Sequence, residues 1–250
     1  MPLAAAFPPL PLPIPALLRR QNWRNPNTTR PFAAAPDRPL AEPMEVEIKL
    51  RLPDAAAHRS LAALLSPHHL KTLHQENLFF DSPQSQLSRN LSALRVRFSG
   101  PSPSAVLSLK SKPSISSGIS RVEETEEPLE ESFARSCLSD PGQLLSIGKE
   151  DDGGHVRSEI MRRVREEFRV NELVCLGGFR NVRGVYEWKG LKLELDETEY
   201  SFGTTYELEC ESGEPERDRE VIEGLLRENG VSYSYSEVNK FAVFMSRKLP

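Results

Sequence analysis

From Met44 onward the chain alternates between apolar and charged positions. Glu45-Val-Glu-Ile-Lys-Leu-Arg-Leu52 places Val46, Ile48, Leu50 and Leu52 on one side of an extended backbone and its charges on the other, the period-two pattern of a strand with one buried face. At about 3.3 Å per residue this segment spans roughly 26 Å. Pro53-Asp54 then predicts a turn and an N-cap for an Ala/Leu helix ending near Leu65. Further strands are predicted at about Leu70 to Asp81, Ala93 to Phe98, Ala105 to Lys112, Ile119 to Glu126, Gly178 to Trp188, Leu191 to Tyr200 and Thr204 to Glu211, which makes eight with the first. Helical spacing predicts helices at Pro128 to Cys137, Val156 to Phe168, Pro215 to Asn229 and Glu237 to Ser246. Pro101-Ser-Pro-Ser104 has the composition of a hairpin loop and Asp151-Asp-Gly-Gly154 that of a connection. No internal repeat is present.

The charges are sorted by sign along the strands. Arg95 and Arg97 share a face, as do Lys110 and Lys112, Glu124 and Glu126, Glu194 and Asp196, and Glu207, Glu209 and Glu211. Like charges two apart on a strand lie about 6 to 7 Å from each other, so each pair costs on the order of 2 kcal/mol at an effective dielectric near 20 unless compensated. An open antiparallel sheet with its charged face in water accounts for any single strand. The series as a whole predicts an α+β fold: an eight-stranded antiparallel closed β-barrel with a charged lumen and an apolar exterior jacketed by helices. Acids lining such a lumen chelate hard divalent cations, and bases hold a polyanion.

Composition narrows the partners. The 250 residues carry a net charge of −4 and no run of about 18 apolar residues, which excludes a helical membrane span and argues against binding a nucleic-acid backbone. Cys137, Cys175 and Cys210 are odd in number and far apart, as suits an intracellular, reducing address, and the five histidines form no H-x-x-x-H pair. Residues 1–43 differ from the remainder: they hold 11 of the 21 prolines, five arginines, no lysine or serine, and only Asp37 and Glu42 as acids. That stretch cannot bury a core. It is expected to be a disordered leader, or translated sequence ahead of a start at Met44, with residues 44–250 forming the domain. The alternative is a transit-like segment directing plastid or mitochondrial import, although such segments are Ser-rich. The expected location is otherwise cytoplasmic, and the expected state a monomer.

Glu45-Val-Glu-Ile-Lys49 resembles the Glu-x-Glu-x-Lys opening strand of the CYTH, or triphosphate tunnel metalloenzyme, superfamily. It is followed in order by Leu94-Arg-Val-Arg-Phe98, Leu107-Ser-Leu-Lys-Ser-Lys112, Arg121-Val-Glu-Glu124, Val185-Tyr-Glu-Trp188, Leu193-Glu-Leu-Asp-Glu197, Tyr206-Glu-Leu-Glu-Cys-Glu211 and Asn239-Lys-Phe-Ala-Val-Phe244. Over residues 44–250 the chain is similar to small plant members described as inorganic triphosphatases. The resemblance implies a tunnel that binds triphosphate along its axis and hydrolyses it with Mg²⁺ or Mn²⁺. It implies metal binding by Glu45, Glu47, Glu209 and Glu211, which with Lys110 form the catalytic set. Lys49, Arg95, Arg97, Lys110, Lys112, Arg183 and Lys240 are implied to grip phosphate oxygens, with Glu124, Glu126, Glu194 and Asp196 as further lumen acids. The expected reaction is hydrolysis of inorganic tripolyphosphate to pyrophosphate and phosphate, with nucleoside triphosphates weaker. The alternatives are thiamine triphosphatase or adenylyl cyclase activity, a non-catalytic polyphosphate- or nucleotide-binding module, or a plain structural sheet. No recognisable purine-binding motif favours a cyclase. The residue chemistry agrees: cleaving a phosphoanhydride needs charge neutralised on non-bridging oxygens and a water held in line, and carboxylates alone suit Mg²⁺ or Mn²⁺ better than zinc.

Overall fold

The first strand, β1 (Met44–Leu52), is where the barrel closes. In the computed structural model, which describes residues 44–100, 104–148 and 158–250, β1 pairs antiparallel with β8 along Glu47–Leu52 and with β5 along Met44–Ile48. Asp54 caps α1 (Ala55–Leu65), its carboxylate accepting from the Ala56 and Ala57 amides. A 3-10 turn at Ser66–His68 leads into β2 (His69–Asp81). The short α2 (Gln86–Arg89) follows, then β3 (Ser92–Gly100), β4 (Ser104–Ser116) and β5 (Ile119–Leu129). α3 (Glu131–Ser139), a second 3-10 turn at Pro141–Ser146 and α4 (Glu159–Glu166) precede β6 (Val174–Trp188), β7 (Leu191–Tyr200) and β8 (Gly203–Glu211). The chain ends with α5 (Pro215–Glu228), a two-residue β9 (Ser234–Tyr235) and α6 (Lys240–Ser246).

Strand order is β5-β4-β3-β2-β6-β7-β8-β1, and the β5–β1 pairing makes it a closed eight-stranded antiparallel barrel. β9 is an addition, continuing the β5 edge of β1 at Leu50 and Arg51. All eight expected strands are present, with β6 beginning four residues earlier than expected and β5 running three beyond Glu126. Residues 1–43, the tip of the expected Pro101–Ser104 loop and the Asp151–Gly154 connection lie outside the described residues.

The apolar faces point outward, under the helices. Leu94, Val96, Leu107 and Leu109 of β3 and β4 pack with Ala134 and Cys137 of α3 and with Ile160, Met161 and Val164 of α4. On the opposite wall Ile48, Leu50, Leu193, Leu195, Leu208 and Cys210 pack with Leu61 and Leu65 of α1 and Ile222 and Leu226 of α5. The buried apolar layer therefore surrounds the barrel, and the inward positions are left for charge. A third cluster is aromatic: Phe79, Phe179 and Tyr200 gather Phe241, Val243 and Phe244 of α6 at one end of the barrel.

One proline departs from the alternation. Lys112 adopts a left-handed backbone (φ 51°) just ahead of Pro113, and the β4–β5 register shifts between Ser111 and Ser114. Proline has no N–H for the ladder, so the strand bulges there.

At Gly178, which lies opposite Leu78, β6 runs tight against β2; a Cβ at Gly178 would sit 1.7 Å from the Asn77 carbonyl oxygen. Gly178→Ala is expected to lower stability by at least about 3 kcal/mol, a fall of about 10 °C in melting temperature. Gly213→Ala, whose added methyl meets nothing, should melt like the wild type, and equal melting of both variants would contradict this strand pairing.

Candidate active site

The inward charges converge on one cavity of about 560 Å³. Alternation and register put them there: Lys49 of β1 lies opposite Glu209 of β8, Glu47 opposite Glu211, Glu194 of β7 opposite Glu209, and Arg183 of β6 opposite Asp196. Lys110 of β4 lies opposite Glu124 of β5 and Ala93 of β3. Seven bases and seven acids line the cavity: Lys49, Arg95, Arg97, Lys110, Arg183, Lys192 and Lys240 against Glu45, Glu47, Glu124, Glu126, Glu194, Glu209 and Glu211. The balance of sign explains how so many charges share a low-dielectric space, since unpaired buried charge is strongly unfavourable.

Two ion-pair networks account for most of them. At the first, Lys110 Nζ lies 2.7 Å from Glu45 and 2.8 Å from Glu124. Arg95 reaches Glu124 at 3.3 Å and also donates to Ser108, while Arg97 holds Glu126 at 2.9 Å. Burial and then the neighbouring Arg97 bring the Arg95 guanidinium down to about 10. Burial, followed by the Glu124 carboxyl beside it, raises Glu45 above the ordinary carboxylate range against the pull of Lys110.

The second network is deeper. Glu209 takes Lys49 at 2.6 Å, Arg183 at 2.7 Å and Lys240 at 2.5 Å. Asp196, fully buried, takes Arg183 at 2.6 Å and Lys240 at 2.9 Å, and Arg183 also contacts Glu194. Burial opposes ionisation of both acids, yet Lys240, Lys49 and Arg183 hold Glu209 well below the ordinary value, and Arg183 and Lys240 hold Asp196 below it. For Lys49 burial likewise opposes the charge, and Glu209 and Glu47 outweigh it to raise the ammonium above its usual range.

Lys240 comes from α6. Asn239 caps that helix, its side chain accepting from the Ala242 amide at 2.8 Å, and Phe241 and Phe244 stack against Phe79 at ring separations of 4.7 and 5.5 Å. The aromatic cluster thereby fixes the helix across the end of the lumen and aims its first residue inward. Phe241 serves that jacket and lines the cavity as well, while Trp188 belongs to the outer core.

Lys112 is the exception among the expected phosphate-binding residues. The bulge at Pro113 turns it out of the lumen: its side chain is 69% exposed and pairs with Glu123 at 3.1 Å. Asp196 does not line the cavity but lies behind Arg183 and Lys240. Glu211 sits at the exposed rim opposite Glu47. Lys192, on Glu194, also lines the cavity, and the pair Arg51–Glu207, 3.1 Å apart, continues the same inward faces of β1 and β8 beyond it. Arg51 and Glu207 followed the same alternation as Lys49 and Glu209, so the signal was in the sequence. Gln75, Asn77 and Asn181 line the cavity too, and neutral amides on a strand carry no such signal.

The donors for a cation are carboxylates only, which suits a hard divalent ion. Among the described residues no three metal-ligating side chains converge on one point; Glu45, Glu47 and Glu209 are each engaged by a lysine ammonium instead.

The closed antiparallel barrel with an acid- and base-lined interior has the architecture of the CYTH tunnel fold. The CYTH domain profile matches residues 43–244, and the chain belongs to the CYTH family. Enzymes of this family are generally divalent-metal dependent. A Hippeastrum protein studied as an adenylyl cyclase and described as having a dominant triphosphatase activity is 51% identical, with 82% of this chain and 97% of that one covered and a TM-score of 0.77. A Bacillus halodurans protein assigned as an adenylate cyclase shares the fold at 21% identity, covering 80% and 98% of the two chains with a TM-score of 0.60. A Pyrococcus horikoshii protein does so at 16% identity, 81% and 99% coverage and a TM-score of 0.53. No match was found among curated proteins. Among the described residues no helix is long and apolar enough to cross a membrane.

The depressed acids give a pH dependence. A carboxylate whose folded pKa lies below its unfolded value contributes stability above the unfolded value, near 4, and loses it as pH falls through the folded one. Asp196→Asn is therefore expected to melt well below the wild type at pH 7, because Arg183 and Lys240 lose a buried partner, and the gap should narrow below about pH 4. A gap that stays constant down to pH 2 would show that Asp196 contributes through packing and not through its charge.

Proposed function

We propose that this protein is a divalent-metal-dependent triphosphatase that hydrolyses inorganic tripolyphosphate to pyrophosphate and phosphate, with nucleoside triphosphates as weaker substrates. The observation that carries the reading is that Lys49, Arg95, Arg97, Lys110, Arg183 and Lys240, from five different elements of the fold, share one cavity with a matching set of acids. The similarity to the Hippeastrum protein described by its triphosphatase activity supports it.

Each base now engages a carboxylate. A phosphate chain entering the lumen replaces those carboxylates as acceptor, so Lys110 passes from Glu45 and Glu124, and Lys49 from Glu47, to phosphate oxygens. Guanidinium groups hold such oxygens by paired donors, which assigns orientation of the chain to Arg95, Arg97 and Arg183. Glu45, Glu47, Glu209 and Glu211 are then the residues to hold Mg²⁺ or Mn²⁺. The ion, when bound, neutralises phosphate charge and acidifies a water. The demand for several negative charges in one enclosed space disfavours monophosphates.

Phosphate release from tripolyphosphate is expected to require Mg²⁺ or Mn²⁺, to stop with chelator, and to fall at least about a hundredfold in Glu47→Ala or Glu209→Ala; full activity in folded variants would remove the metal assignment. Lys110→Ala is expected chiefly to raise KM for tripolyphosphate, and an unchanged KM would count against its phosphate contact. A panel of tripolyphosphate, pyrophosphate, ATP and thiamine triphosphate decides the substrate: faster release from ATP or thiamine triphosphate than from tripolyphosphate would overturn the choice made here.

A further inference from the structure

Neutral polar side chains cross one wall of the lumen in a row. Ser99 of β3 lies opposite Gln75 of β2, Gln75 opposite Asn181 of β6, Asn181 opposite Thr198 of β7 and Thr198 opposite Thr205 of β8. Within that row Thr198 Oγ1 donates to Asn181 Oδ1 at 2.7 Å, and Asn181 Nδ2 donates to Gln75 Oε1 at 3.1 Å. Thr198 and Asn181 are buried and engaged, as satisfied core groups are. The run of donations stops at Gln75: its oxygen is taken, and its Nε2 has no hydrogen-bond partner among the described residues. Asn77, two residues along the same face and 3% exposed, lines the same cavity, and its amide has no partner among the described residues either. Neither amide nitrogen is among the fully buried unpaired atoms, so each reaches the cavity, where it donates to solvent or to a ligand that displaces it.

Arg97 lies opposite Asn77, and Arg183 follows Asn181 by two residues on the same face. The unpaired amides thus sit on the lumen wall between two guanidinium groups. Building on the triphosphatase reading, we infer that Gln75 and Asn77 bind the phosphate chain, donating hydrogen bonds to its non-bridging oxygens, and that Asn181 and Thr198 are positioning residues that hold Gln75 in the donor orientation. An amide adds no net charge, so it strengthens the grip only on a ligand that places an oxygen at that point. The surrounding bases attract any polyanion; the amides select where along the wall it comes to rest.

The test is binding of inorganic tripolyphosphate to the full chain in the presence of chelator, by calorimetry, with KM and kcat measured separately in Mg²⁺. Gln75→Met and Asn77→Leu are each expected to weaken binding about tenfold, the effect of one lost hydrogen bond to a charged group, and to raise KM more than they lower kcat. Gln75→Leu, which also removes the donor without adding charge, should weaken it to the same extent and decides the matter if the methionine variant does not fold. Thr198→Val, which removes the hydroxyl without touching the ligand, should weaken binding several-fold, and Thr198→Ser should restore it, which a loss of packing alone would not predict. Unchanged affinity in the folded Gln75 and Asn77 variants, beside a wild type that binds tripolyphosphate, overturns this inference and leaves the triphosphatase reading standing. A wild type that does not bind tripolyphosphate overturns both.

Discussion

The structure depends on compensating a ladder of acids that cannot stand alone. Glu194 faces Glu209 and Asp196 faces Glu207 across β7 and β8, four carboxylates on one inward surface. Left to themselves they would repel one another in a medium that screens poorly. Arg183 from β6, Lys49 from β1 and Lys240 from α6 supply the opposing charge. None of these is a sequence neighbour of the acids, so the ladder is tolerable only once the barrel has closed and α6 has docked. Closure and charge compensation are one requirement.

That requirement explains why the molecule is inside out relative to an ordinary small barrel. The apolar face of each strand is turned outward, and α1, α3, α4 and α5 cover it with buried leucine, isoleucine, valine and methionine side chains. The hydrophobic stabilisation that a core normally gives is thus placed around the barrel as a sleeve, and the interior is left to electrostatics. α6 is different in kind. It is held by stacked phenylalanines at the barrel end, where the lumen wall itself becomes aromatic through Phe79 and Phe179.

The charged interior is held in place by the barrel's own ladders and ion pairs. Lys49, Arg95, Arg97, Lys110 and Arg183 stand on strands whose backbones are fixed by ladders on both sides; under the proposed function an anion replaces their carboxylate partners with little backbone reorganisation, and such preorganisation is a main source of electrostatic stabilisation in enzymes. The acids act as counter-ions to the lumen bases; under the proposed function they are also the oxygen donors for a divalent cation. Among the described residues no three carboxylates converge on one point, and lysine ammonium groups stand against Glu45, Glu47, Glu124 and Glu209.

The alternation itself was sufficient to place the strands, because a period of two with one apolar face is the mark of a half-buried strand; closure into a barrel was read from the sorting of charge by sign and from the family resemblance. The alternation also put Glu45, Glu47, Lys49, Arg95, Arg97, Lys110 and Glu209 on the charged faces expected to point inward, whereas Arg183 was marked only by the family resemblance. Three things were settled only by the folded chain. Lys112 continues the Lys-x-Lys pattern yet points outward, because the bulge required by Pro113 interrupts a periodicity that the residue types alone do not show. Lys240 lies on a helical segment, where spacing predicts a surface lysine, and reaches the lumen because aromatic packing turns the start of α6 inward. Gln75 and Asn77 bear no charge to mark them, and their place on the lumen wall comes from strand register. Local pattern fixes which face a side chain takes; only long-range pairing decides what that face meets.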